Sequence, residues 1–107
     1  MKTDLKHYAH FAKEIEQAIA LANREVIHQR LPALSAAKIL PLAVLVARIR
    51  TRYLELAFSL AEKSKGEVYQ DSDLADLKRW RETYDEARLA FEALMHAIER
   101  GYIALEA

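Results

Sequence analysis

Residues 40–63 read LPLAVLVARIRTRYLELAFSLAEK, and the spacing within this stretch decides the fold. Wound at 100° per residue, it is polar only over a narrow wedge of Arg48, Arg52, Glu55, Ser59 and Glu62. One apolar side carries Leu42, Leu45, Val46, Ile49, Tyr53, Leu56 and Leu60. A second adds Leu40, Ala43, Val44, Ala47, Leu54, Phe58 and Ala61. Together the two sides cover more than half of the circumference, whereas a helix in a small globular domain needs an apolar stripe of about 100°. The stretch is too short in apolar residues for a membrane span, because the run from Ile39 to Ala47 is less than half of the ~20 residues required.

The flanking segments have the same rhythm. Toward the N-terminus, Leu5, Tyr8, Ala12, Ile15, Ile19, Ala22 and Val26 advance by alternating steps of three and four, which predicts a helix over about 4–30 packed along a seam. Thr3 or Asp4 can cap it, and Leu31-Pro32 should end it, since the residue before proline is driven out of the helical region. The second helix is expected over about 40–63, with Pro41 in its first turn, where the missing N–H costs nothing. Starting it at a Ser35 cap would put Pro41 inside, so 33–39 is expected as a short turn or one extra helical turn. Gly66 suits a left-handed closing residue, and 66–72 reads as the one clear loop. A Ser72/Asp73 cap opens the third helix. Leu77, Tyr84, Phe91, Ile98 and Leu105 recur at steps of seven, with Trp80, Ala87 and Leu94 between, so this helix is expected over 73–105, past Gly101. No segment alternates with period two, and no strand is predicted.

One all-α domain over 1–107 follows: an up-down-up antiparallel three-helix bundle with long heptad-like helices. The surplus apolar face of the second helix predicts that dimerisation completes it. Leaving Leu40, Val44, Leu54 and Phe58 in water forgoes about 1.5–3 kcal/mol for each side chain, and a two-fold self-interface is the commonest remedy. The candidate dimer interface is therefore Leu40, Val44, Ala47, Leu54, Phe58 and Ala61. Leu31, Leu34, Ile103 and Leu105 could instead cover part of that face.

Composition narrows the function classes. Sixteen basic and sixteen acidic residues cancel, which argues against a general polyanion binder. The chain lacks cysteine, so disulfides, thiolate metal sites and cysteine nucleophiles are excluded. The opening residues contain no apolar signal-peptide core, and a cytoplasmic location is expected.

Candidate chemistry centres on Arg48, Arg50 and Arg52, within a stretch from Val26 to Leu54 that has no acid. Arg50 projects into the apolar arc, so it must extend to water or find an acidic or hydrogen-bonding partner, with Asp85 or Glu92 on the third helix best placed. Alternatively, the three arginines bind an anionic ligand or protein partner at the dimer interface. Arg48 and Arg52 share a face but Arg50 points away, which argues against nucleic acid. His7, His10 and Glu14 are spaced three and four apart, and Glu25 and His28 form one Glu-x-x-His unit. Di-iron bundles need two such units pointing into the core. Here the histidines project outward, so no metal and no cofactor is expected. The spacing of His10 and Lys13 matches histidine phosphotransfer domains, but Glu14 stands where a small residue is needed. Glu82 and Asp85 give one Glu-x-x-Asp without the second acidic motif of a magnesium site. The sequence thus predicts a protein-interaction module, homodimeric through the second helix, that binds another protein. The alternative is a small all-α enzyme or anion binder with a site at the arginines.

Overall fold

The computed structural model describes residues 2–68 and 70–106, with the side chains of Lys2 and Thr3 outside the description. Three helices follow one another: α1 over Lys2–Arg30, α2 over Ala36–Ser64 and α3 over Asp71–Glu99. Among the described residues no strand forms, and no helix is long and apolar enough to cross a membrane. The expected Thr3 cap lies outside the described side chains. Asp4 sits inside the first turn of α1, where a carboxylate meets the positive end of the helix dipole. At the other end α1 stops at Arg30, as Pro32 requires.

The start of α2 corrects the expected start near Leu40. The helix opens at Ala36, directly after Ser35 at the N-cap position, and Pro41 lies within it. The cost is one backbone hydrogen bond, that to the carbonyl of Ala37. In return the good helix formers Ala36 and Ala37 join the first turn, and Ile39 becomes half-buried.

The ends of α2 and α3 share one device. At α2, the N–H of Lys65 donates to Glu62 O (3.3 Å) and that of Gly66 to Ala61 O (3.2 Å). At α3, Gly101 donates to Ile98 O (3.0 Å) and Tyr102 to Ala97 O (2.8 Å). These are paired Schellman closures, in which the residue after the helix turns left-handed. At α3 that residue is Gly101, with φ of 76°; at α2 it is Lys65, with φ of 55°, followed by Gly66 at 82°. Gly66 was expected in the role that Lys65 takes. The expected continuation of α3 to Leu105 is also overturned, because Gly101 closes the helix and the chain then runs extended. Leu105 forms an isolated parallel bridge with Leu34, through Leu34 N–H to Ala104 O (2.9 Å) and Glu106 N–H to Leu34 O (2.8 Å).

The chain divides into two compact units. Unit 2, Ala36–Leu94, is α2 packed on α3. Leu42, Val46, Ile49, Tyr53, Leu56 and Leu60 of α2 are half-buried or buried, and so are Leu77, Trp80, Tyr84, Ala87, Phe91 and Leu94 of α3. Contacts descend α2 as they climb α3. Lys63 Nζ lies 3.5 Å from Asp73 Oδ1 near the loop, and the rings of Tyr53 and Tyr84 stack at 6.4 Å. Farther along, Val46 and Ala47 share a cleft with Phe91. Leu45, expected on this packed side, is exposed.

Unit 1 comprises Met1–Ser35 with Met95–Ala107. Its most enclosed side chain is Ile103, 5% exposed, and Arg24 Nε donates to Gly101 O at 3.0 Å. The predicted seam of α1 is not the face that becomes covered. Leu5, Tyr8, Ile15, Ile19 and Val26 are exposed, Tyr8 by 72%. The half-buried positions beyond Ala12 are Ala20, Asn23 and Ile27, on a different face near the C-terminal end.

Candidate functional site

The second apolar side of α2 forms a continuous row on the helix surface. Leu40, Val44, Ala47, Thr51, Leu54, Phe58 and Ala61 follow at steps of four and three, and every one of them is exposed, Phe58 by 72%. The row runs the length of the helix, opposite the face that packs on α3. Thr51 is a member that the sequence reading omitted. Its Oγ1 donates to Ala47 O at 2.9 Å, so the hydroxyl is spent within the helix and the methyl group joins the row.

The three candidate arginines are held in different places. Arg50 lies on one flank of the packed face of α2, and Arg48 and Arg52 lie toward the other. The Arg50 guanidinium donates to the Tyr84 hydroxyl from Nε (3.1 Å) and Nη2 (2.9 Å), and its Cζ stands 5.3 Å from the centre of that ring. Arg52 stands over Trp80 at 5.6 Å, with Glu55 Oε2 3.9 Å from its Nη1. Arg48 borders an open apolar depression beside Leu40, Pro41, Val44 and Leu45.

Asp85 or Glu92 was the partner expected for Arg50, and that assignment is corrected. Arg50 is exposed, and its partner is a phenol. Arg88 takes the two acids instead, with Nη2 3.6 Å from Asp85 Oδ1 and Nη1 2.8 Å from Glu92 Oε1. The hydrogen bond to Glu92 leads the causes that raise the Arg88 pKa above its ordinary value, helped by the charges of Glu92 and Asp85. The signal was present in the sequence: Arg88 lies three residues after Asp85 and four before Glu92, the two spacings that meet on a helix surface.

Arg50 and Arg88 line one open cleft of about 330 Å³, together with Ala43, Val46, Ala47, Phe91 and Glu92. The cleft lies between the packed face of α2 and its exposed row. Elsewhere, His10 Nε2 pairs with Glu14 Oε1 at 2.9 Å on the exposed surface of α1. His7, Glu25 and His28 are exposed, and no three His, Asp or Glu side chains gather to hold a metal among the described residues. Comparison of the chain with protein-family models, curated proteins and solved structures finds no match.

Proposed function

We propose that the protein is a cytoplasmic, protein-interaction module, homodimeric through α2, that binds another protein. In its assembled form it is a single up-down-up bundle completed by the second copy. The observation that carries this reading is the row from Leu40 to Ala61. Seven exposed positions at strict heptad spacing on one helix are what a helix-to-helix interface requires, and water gains nothing from them. Light scattering tests it: wild-type protein runs as a dimer, and Leu54→Glu or Phe58→Glu yields monomer or insoluble protein. Wild-type protein that stays monomeric at tens of micromolar overturns the reading.

The cleft beside Arg50 supports a second reading, an all-α enzyme or an anion binder whose site takes Arg50 together with Arg88. The two guanidiniums offer N–H donors to a small phosphate or dicarboxylate, which would have to displace Asp85 or Glu92 from Arg88. Under this reading such anions raise the melting temperature of wild-type protein and leave Arg50→Met unmoved.

A further inference from the structure

The edges of the exposed row carry an asymmetry that bears on how two copies meet. Along one edge lie Arg48, Glu55 and Glu62; along the other lie Ala43, Arg50, Ala57 and Ser64. The cations are thus confined to the first half of the row, and the acids to the second. The core positions are just as uneven, with small Ala47 and Ala61 seven residues either side of Leu54 and large Phe58 between Leu54 and Ala61.

We propose that two copies pair antiparallel along this row, in one register, with the two-fold axis crossing between residues 52 and 53. This inference rests on the proposed dimerisation through α2 and specifies its orientation. In that register Val44 lies against Ala61 of the second copy, Ala47 against Phe58, and Thr51 against Leu54. Each large side chain meets a smaller one, which fills the interface without voids. On the edge, Arg48 meets Glu55 of the second copy, and symmetry makes the pair twice. Glu55 is open to this contact, since its own-chain approach to Arg52 is a long 3.9 Å between two exposed groups.

Neighbouring registers are worse on charge. A slip of one heptad in one direction sets Arg48 against Arg48 and Arg50 against Arg50. The opposite slip sets Glu55 against Glu55 and carries Val44, as well as Leu40, past the end of the second copy's helix. Like charges at such edges select against a pairing. A parallel pair brings Arg50 to Glu55, but Arg50 is already held on Tyr84. It also stacks Phe58 on Phe58 next to a layer of Ala61 on Ala61, which leaves a gap beside an overfull layer. Antiparallel helices additionally set opposite dipole ends together.

The chain contains no cysteine, so single spin labels can be placed at will. Ala37 and Ser59 are exposed and lie off the row. With 1.5 Å of rise per residue and helix axes 8–10 Å apart, Ala37→Cys labels should lie about 45–50 Å apart and Ser59→Cys labels about 20–25 Å apart. A one-heptad slip moves the two distances by about 10 Å in opposite directions. A parallel dimer gives a short distance at both sites. The charge pair is tested in the same background. Arg48→Glu and Glu55→Arg should each weaken dimerisation by roughly tenfold, and the double exchange should restore it. A dimer with a short Ala37 distance, or a double exchange that fails to restore it, overturns the antiparallel register and leaves the dimer reading standing. A wild-type monomer overturns both.

Discussion

The α2–α3 pair and α1 have the same sequence rhythm and opposite fates. In α3 the positions from Leu77 to Leu94 at steps of three and four are half-buried, and α2 supplies a matching row from Leu42 to Leu60. In α1 the row from Leu5 to Val26 is equally regular and lies open to solvent, while the helix is anchored near its C-terminal end by Arg24 and the tail. Heptad spacing therefore measures a helix's demand for a packing partner, and says nothing about whether that partner is in the same chain. α2 shows both outcomes on one helix, with one row met by α3 and the other left open.

The contrast can be broken by truncating one member of each row. Leu60 is 6% exposed and sits in the row that α3 covers. Leu60→Ala should cost about 2–4 kcal/mol, the usual range for a buried leucine truncated to alanine. Ile15 belongs to the open row of α1, and Ile15→Ala should stay within about 0.5 kcal/mol, as surface changes do. Denaturant melts of the two variants measure both. An Ile15→Ala loss approaching that of Leu60→Ala would mean that the α1 row is covered in solution. Native-state hydrogen exchange sharpens the same point: amides of 5–19 should exchange well before those of 46–60.

How far the sequence was legible follows the same division. Three helices, the stop before Pro32 and the two-sidedness of α2 could all be read, because each depends on spacing or on the backbone chemistry of a single residue. Termini were harder. Pro41 was expected in a first turn, yet one lost hydrogen bond was outweighed by an earlier helix start. Leu105 continued the heptad count, yet two residues of favourable phase do not offset a left-handed closure at Gly101. At the arginines, charge sign pointed to Asp85 and Glu92, but these acids had a nearer cation on their own helix. Tyr84 was read only as a seam position, and its hydroxyl is what Arg50 meets. The open row of α2 was legible as a surplus; Thr51 was not, because its fitness depends on a hydroxyl turned back to Ala47.

The two Schellman closures allow a finer comparison between the units, since one motif is built with different residues. Gly101 has φ of 76°, and an added Cβ would meet only Arg24 Nη2, at an ordinary 3.6 Å. Gly101→Ala should therefore cost the left-handed penalty alone, about 1–2 kcal/mol. Lys65 already bears that penalty at φ of 55°, so Lys65→Gly should stabilise by up to about 1 kcal/mol, less what glycine gains in the unfolded chain. Opposite signs in thermal melts would confirm that the same turn closes both helices. A destabilising Lys65→Gly would mean that the lysine side chain contributes more than its backbone costs.

A small pairwise effect is expected at Arg50 and Tyr84, on the flank of the packed row. Both N–H donors of the guanidinium that reach Tyr84 lie within 3.1 Å of one hydroxyl oxygen, and the guanidinium also stands near the ring. Tyr84→Phe removes the acceptor and keeps the ring, whereas Arg50→Met removes both contacts and retains most of the aliphatic bulk. Because Arg50 is exposed, each change should cost no more than about 1 kcal/mol, with Arg50→Met the larger by about 0.5 kcal/mol, the low end of a cation–π contact. The double variant should lose little beyond Arg50→Met alone, giving a coupling of about 0.5 kcal/mol or more. Asp85→Ala should leave that coupling unchanged, because the acid belongs to Arg88. A double-mutant cycle by urea denaturation measures all of this, and additive losses would show that Arg50 and Tyr84 act independently. A loss of several kcal/mol in Arg50→Met would instead mean that this flank is buried in solution, and that the second copy reaches past the row to cover it.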